Sequence, residues 1–296
     1  MADNNSFNKK HSLGQNFLTS DRIPTRIADE CGADKESGVI EIGPGLGILT
    51  KQLSRVAAKV VAIEIDSELI PILTERFKDV QNVSFINADV LKCNLKEIIK
   101  DNFSEMKVHV CANLPYYITT PIIMMLLEGD FGFETITVMV QKEVADRLCS
   151  KCGDKNYGAV TASVNYYASV KKLFNVSAAN FSPKPKVDSA VIRLDVYKDK
   201  PVKPDSEDVF FKVLRGAFEN RRKTLVNSLL SVFGTDISKE EITDIVSLTG
   251  NPLVRGEALD LNQLCFISNE INKKFINWRN QDDQEQETQC LDPRDG

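Results

Sequence analysis

The 296-residue chain predicts an α/β fold, a doubly wound and mostly parallel sheet followed by a smaller all-helical domain. Three observations carry this. Strand and helix patterns alternate through the first two thirds of the chain. The strands are near-continuously apolar, as in a parallel sheet covered on both faces. From about residue 209 to 278 every readable pattern is helical.

The run "VIEIG" (39–43) is β-branched and ends at Gly43-Pro44-Gly45. Leu46, Leu49, Leu53 and Val56 follow at helical spacing. "KVVAIEID" (59–66) reads as a second strand, and "SELIPILTERFKD" as a helix with Ser67 as its N-cap. "VSFINAD" (83–89), "VHVCAN" (108–113) and "TITVMVQ" (135–141) are three more strands. "VKKLFNV" (170–176) and "VDSAVIRLDV" (187–196), with only a Pro/Lys-rich loop between them, predict an antiparallel pair closing one sheet edge. "YKDKPVKPDSED" (197–208) is a polar linker with two prolines. The expected organisation is an N-terminal segment 1–20, a catalytic domain 21–200, a helical domain 201–278 and an acidic, disordered tail 279–296.

Composition excludes several function classes. No apolar run approaches the roughly 18 residues of a membrane span, and "MADNNSFNKKHS" lacks the apolar core of a signal peptide. A cytoplasmic protein with no membrane partner is expected. Seven cysteines, an odd number, imply free thiols. Cys149 and Cys152 in "CSKC" form the one close pair, and His11 and His109 are the only histidines, so no metal site is expected. The net charge of −5 speaks against a nucleic-acid partner only at first sight. The last 18 residues hold six acids against two arginines, so the rest of the chain is close to neutral and free to carry a basic face.

"EIGPGLG" places Gly43, Gly45 and Gly47 after a strand and at the opening of a helix, where the backbone turns sharply and a ligand approaches closely. Glu64, 21 positions beyond Gly43 at the end of the next strand, is placed to accept from two ribose hydroxyls. Asp89, at the end of the third strand, can accept from an adenine amino group. Each acid alone reads equally well as a plain strand-end carboxylate capping the next helix. Together, at the carboxyl ends of successive strands, they favour an adenosine-type cofactor. The glycine spacing departs from the dinucleotide fingerprint, which disfavours NAD.

"NLPYYITTPI" (113–122) sits beside that pocket, at the end of strand 108–113. An exocyclic amine on a nucleobase is a poor nucleophile because its lone pair is delocalised into the ring. The side-chain oxygen of Asn113 and the carbonyl of Leu114 can accept its two N–H bonds and turn the lone pair toward an electrophilic methyl. Pro115 fixes the turn and leaves that carbonyl unclaimed by a strand partner. Tyr116 offers a face for a base to stack on. The competing reading is an Asx-turn at a strand end with two core tyrosines.

With "LGQNFL" (13–18), "EIGPGLG" (41–47), "NLPYYITTPI", "QKEVADRL" (141–148), "FSPKPKVDSAV" (181–191) and "ENRRKTLVNSL" (219–229) in this order, the chain resembles the bacterial small-subunit ribosomal RNA adenine N6,N6-dimethyltransferase family from about residue 9 to 275. The resemblance implies a Rossmann-like domain using S-adenosylmethionine and a smaller helical domain. It implies two adjacent adenosines in a hairpin near the 3′ end of small-subunit rRNA as substrate, each methylated twice, within an immature subunit, by a monomer. It places Asn16 and Leu18 on the methionine side of the cofactor, with Gly43 and Gly45 approaching it. Glu64 holds the ribose and Asp89 the adenine. Asn113 contacts the target amine, and Tyr116 and Phe181 sandwich the flipped base. From the residues alone Phe181 is more simply a core aromatic.

On one helix through 210–229, at about 100° per residue, Lys212, Arg215, Arg222 and Lys223 fall within roughly a 100° arc opposite Leu214, Phe218, Leu225 and Leu229. Arg221 points toward the apolar side. With Lys184 and Lys186 beside Phe181 this reads as a basic track for RNA, or as an ordinary solvated helix face. Two alternative functions stay open: a large-subunit rRNA adenine methyltransferase of the antibiotic-resistance type, and a ribosome-assembly factor acting mainly by binding.

Overall fold

The computed structural model describes residues 17–274. Asn16 and the acidic tail lie outside the described residues. The chain divides into two compact units: the first runs to Cys149 and resumes over Tyr167–Lys198, and the second takes Ser150–Tyr166 and the chain from Asp199 onward. The segment Ser150–Tyr166, expected within the catalytic span 21–200, therefore clusters with the helical unit.

The first unit holds a seven-stranded sheet. Its strands are β2 (Gly38–Ile42), β3 (Lys59–Glu64), β4 (Val83–Asn87), β5 (Val108–Asn113), β6 (Phe133–Gln141), β7 (Ala168–Val176) and β9 (Ser189–Val196). A two-residue ladder joins β1 (Phe17–Leu18) to β8 (Phe181–Ser182). The sheet order is β4-β3-β2-β5-β6-β9-β7. Strands β2 to β6 run parallel, and β9 and β7 form the antiparallel edge pair that the short loop between them predicts. Val39 and Ile40 point to opposite faces of β2 and both are fully buried, so the sheet is covered on both sides. Helices α1 (Arg22–Glu30) and α2 (Ile48–Val56) cover one face, burying Ile27, Leu49 and Leu53 against Val39, Val60 and Met139.

The helix α3 (Leu69–Arg76) begins later than the sequence suggests. Ser67 is not its cap; the carboxylate of Asp66 accepts from the Glu68 N–H at 3.2 Å instead. Three further helices belong to this unit: α4 (Leu95–Phe103), capped by Asn94, α5 (Thr119–Glu128) and α6 (Lys142–Leu148). The order of strands reverses between β2 and β5, because β2 leads outward to β3 and β4 before the chain returns. That switch point, at the carboxyl ends of the strands, is where open α/β sheets take ligands.

The second unit is helical: α7 (Ala159–Tyr167), α8 (Glu207–Glu219), α9 (Leu225–Phe233), α10 (Lys239–Ser247) and a helix from 261 onward. Its core gathers Phe210, Leu214, Leu229, Phe233, Val246 and Leu264, all fully buried. The expected single helix through 210–229 is in fact two. Asn220 leaves helical geometry at φ −127°, ψ 76°, and residues 220–224 form a turn. Arg221 holds that turn: it donates to Glu257 at 3.1 Å and to the carbonyls of Lys155 and Tyr157 at 2.9 and 3.0 Å.

Candidate active site

Four strand ends converge on one cavity of about 1130 Å³, measured with its open mouth. Its wall is built from the glycine loop after β2, Glu64 and Ile65 after β3, Ala88 to Val90 after β4, and Asn113 to Ile118 after β5, with Leu18 at one side. The loop glycines divide two tasks. Gly43 has φ +69° and open space where a side chain would stand, so a ligand can lie against bare backbone. Gly47 has φ +78°, and a Cβ there would come within 2.6 Å of the Phe77 ring, so it serves helix packing. Gly45 donates its N–H to Glu64 Oε2 at 3.1 Å.

Glu64 is 4% exposed, and its other oxygen accepts from the Asp66 N–H at 2.9 Å. Burial pushes its carboxyl above the usual carboxylate range, partly offset by the N–H bonds from Asp66 and Gly45. The side chain of Asn87 donates to the carbonyls of Glu64 and Ile65 at 2.8 and 3.3 Å, clamping the turn that carries the acid. Asp89 accepts from the Leu91 N–H at 3.0 Å while lying in the cavity wall. Both acids thus cap their own turns and line the cavity. An adenosine cofactor fits this donor and acceptor set: bare backbone at Gly43, then two acceptor carboxylates in line along the switch point.

The turn after β5 is braced at each residue. Leu114 donates its N–H to the Met139 carbonyl at 3.3 Å and is 1% exposed. The Pro115 carbonyl accepts from the Ile118 N–H at 3.2 Å and from the Thr119 hydroxyl at 3.1 Å. The Tyr116 hydroxyl is 2.8 Å from the buried Ser189 hydroxyl on β9, which anchors the far end of its ring. Neither tyrosine is a core residue, as an Asx-turn reading would have it: Tyr116 is half-buried and Tyr117 is 62% exposed, and both line the cavity.

Leu18, Gly43, Gly45, Glu64, Asp89, Asn113, Leu114, Pro115 and Tyr116 are therefore brought together. Phe181 is not. It pairs with Leu18 across the β1–β8 ladder, is 5% exposed and packs in the core with Ile27 and Phe174, so its ring presents no face to the cavity. Sequence reasoning passed over Glu41, Asn87, Tyr117 and Ser189. Glu41 alone left a signal, as an acid in the middle of an apolar strand.

Of the basic residues, Lys184 and Lys186 are exposed on the β8–β9 loop of the first unit. In the second unit Lys212 and Arg215 lie on α8, and Arg222 and Lys223 are exposed in the 220–224 turn. The broken helix removes the shared arc. Lys212 is half-buried, its ammonium 4.5 Å from the centre of the Phe233 ring.

The model of the ribosomal RNA adenine dimethylase family matches residues 6–271. A ribosomal RNA small subunit methyltransferase A of Geobacillus thermodenitrificans is 46% identical over 273 residues, 91% of this chain and 93% of that protein. The same-named protein of Listeria welshimeri is 44% identical over 264 residues, 88% and 90% of the two chains. Among solved structures, a dimethyladenosine transferase from Plasmodium falciparum superposes with a TM-score of 0.76 at 28% identity, over 87% of this chain and 98% of that one. The 23S rRNA methyltransferase ErmE shares the fold, with a TM-score of 0.68 at 24% identity over 87% and 100%. With its glycine cradle, strand-end acids and Asn-Leu-Pro-Tyr turn, this chain belongs to the ribosomal RNA adenine dimethylase family.

Proposed function

We propose that the chain dimethylates the N6 amino groups of two adjacent adenosines in the 3′-terminal hairpin of small-subunit rRNA. The observation that carries this is the convergence of an adenosine cradle and the Asn113–Tyr116 turn on one cavity. S-adenosylmethionine is the cofactor, and when bound it supplies a methyl group on a positively charged sulfur. Gly43 gives it bare backbone, Glu64 accepts from its ribose and Asp89 from its adenine, with Leu18 at the methionine end.

The chain's residues act on the acceptor by positioning it. Asn113 and the Leu114 carbonyl accept the amine's N–H bonds and turn its lone pair out of the ring plane. Tyr116, oriented by Ser189, stacks on the flipped base. The bound cofactor would supply the methyl group from its sulfur to the nitrogen that Asn113 and Leu114 hold, and the amine would give up one proton to solvent. No strong base is required, since the proton's acidity rises as the nitrogen takes on charge. Phe181, buried as it stands, would need to leave the core to complete a sandwich.

Lys184, Lys186, Arg215, Arg222 and Lys223, with the partly packed Lys212, contact RNA phosphates and supply affinity that falls with salt. The substrate is rRNA within an immature small subunit. One chain carries both cofactor and acceptor residues, which supports a monomer. No helix among the described residues is long and apolar enough to cross a membrane, in keeping with a cytoplasmic site of action. The relatives named for the small subunit, at 44–46% identity, favour this substrate over large-subunit rRNA. Replacing Asn113 with alanine tests the assignment: methyl incorporation is expected to fall by at least about 10²-fold while small-subunit binding stays intact. Undiminished incorporation would remove Asn113 from the reaction.

A further inference from the structure

Among the described residues, two large apolar side chains of the cavity wall are exposed, Ile65 at 54% and Tyr117 at 62%. Ile65 follows Glu64 and stands at the cofactor end. Tyr117 follows the Asn113–Tyr116 turn and stands at the acceptor end. Its backbone is held firmly. Residues Tyr116–Ile118 form a single 3₁₀ turn, pinned where the Pro115 carbonyl accepts from the Ile118 N–H and the Thr119 hydroxyl. Its side chain is not held: among the described residues the Tyr117 hydroxyl makes no hydrogen bond and its ring meets no other ring.

A 3₁₀ turn has three residues per turn, so neighbouring side chains leave it about 120° apart. Tyr116 reaches back to Ser189 on β9, and Tyr117 therefore cannot offer its ring to the same base. It is left to face the mouth. A base that enters the cavity gives up its stack on the next base of the strand, and that next base stays outside with one face bare. An aromatic ring exposed on a rigid turn can replace the lost stack, and a tyrosine, with two side-chain torsions, gives up little freedom in doing so.

We propose that Tyr117 is a substrate-binding residue, the stacking platform for the base next to the one in the cavity. This rests on the reading of a flipped adenosine at Asn113. The contact takes the flat face of a base and not its edge, so it serves either of two adjacent adenosines while the other is methylated. It offsets part of the cost of flipping, and so acts on kcat/KM for RNA and not on cofactor affinity.

The test uses small ribosomal subunits reconstituted with rRNA that lacks these modifications. Its 3′ segment carries either both adenosines or an abasic nucleotide in place of one or the other. The first methyl transfer is followed by mass spectrometry. On the intact subunit Tyr117→Ala should lower kcat/KM by about 5- to 100-fold, the range of one base stack. Tyr117→Trp, which keeps a flat ring, should recover most of that loss. On the abasic subunit that lacks the stacked neighbour, the unaltered protein should fall to the rate of Tyr117→Ala, and the variant should lose little more. S-adenosylhomocysteine should bind Tyr117→Ala as it binds the unaltered protein. An undiminished penalty on both abasic subunits would overturn the platform, and so would an unslowed Tyr117→Ala on the intact one. A matching loss of S-adenosylhomocysteine affinity would move the ring to the cofactor instead. Complete inactivity of the unaltered protein on both abasic subunits would also count against it, because one stack cannot cost that much. Failure of the unaltered protein to methylate the intact subunit would overturn the flipped-adenosine reading beneath it.

Discussion

Glu41 and His109 are buried ionisable groups whose cost shows in the pH dependence of stability. The Glu41 carboxyl, ordinarily near 4.5, is raised to about 8 by burial, so below 4.5 its contribution is fully present and it is lost as pH rises through 8. Thermal unfolding of cofactor-free Glu41→Gln should therefore gain on the unaltered protein as pH rises from 5 to about 8.5. His109 works in the opposite sense. It is 4% exposed, and its Nδ1 lies 2.8 Å from the Thr135 hydroxyl, which itself donates to the Cys31 carbonyl at 2.6 Å. Nδ1–H is therefore the donor in a neutral ring. Burial lowers its pKa below 6.5, so its contribution is present above 6.5 and is lost as pH falls. His109→Gln should flatten the acid side of the stability profile between 6.5 and about 5; an unchanged slope would show that the ring is not buried neutral. At the reaction centre, the Tyr116–Ser189 bond predicts coupling. In a double-mutant cycle on kcat, Tyr116→Phe and Ser189→Ala should be non-additive by about 1 kcal/mol, because either removes the same bond. Simple additivity would mean the bond does not orient the ring.

At the scale of elements, the parallel strands were legible because their burial on both faces forces near-continuous apolar runs, as in "VIEI" and "HVCA". The β7–β9 pair was legible from the short connection between two apolar runs. Helix limits were less so. Ser67 satisfies the composition rule for a cap, but Asp66 reaches the free N–H, because where the strand ends decides which side chain faces the helix start. The break at Asn220 escaped reading because its cause is distant in sequence: Arg221 is held by Glu257, 36 residues on, and by two carbonyls from 155 and 157. Phe181 lost its expected place for the same kind of reason, since the two-residue ladder to Leu18 that directs its ring inward has no periodic signature. Gly256 is the tightest test of the second unit. A Cβ there would lie 2.1 Å from the Ala217 carbonyl oxygen, so Gly256→Ala requires backbone movement. Chemical denaturation should show a loss of about 2–4 kcal/mol; a loss below about 0.5 kcal/mol would mean that this loop does not pack against α8 as described.

For the whole molecule, a net charge of −5 coexists with an RNA substrate because the charge is unevenly placed along the chain. The basic residues lie in both units and were legible one by one, though not as a single helical face. If Arg222 and Lys223 each contact a phosphate, replacing both with alanine should lower the slope of log affinity against log salt by about 1.4–1.8, with weakening that does not depend on sequence. An unchanged slope would take the 220–224 turn out of the RNA interface. At stake is whether the cavity at the sheet's switch point methylates small-subunit adenosines. It is tested most directly with S-adenosylmethionine carrying a labelled methyl group and both ribosomal subunits from a strain lacking these modifications, read by mass spectrometry of their rRNA. The expected product is dimethyladenosine confined to two adjacent positions near the 3′ end of the small-subunit RNA. Label in large-subunit RNA, or none in either despite tight subunit binding, would contradict it.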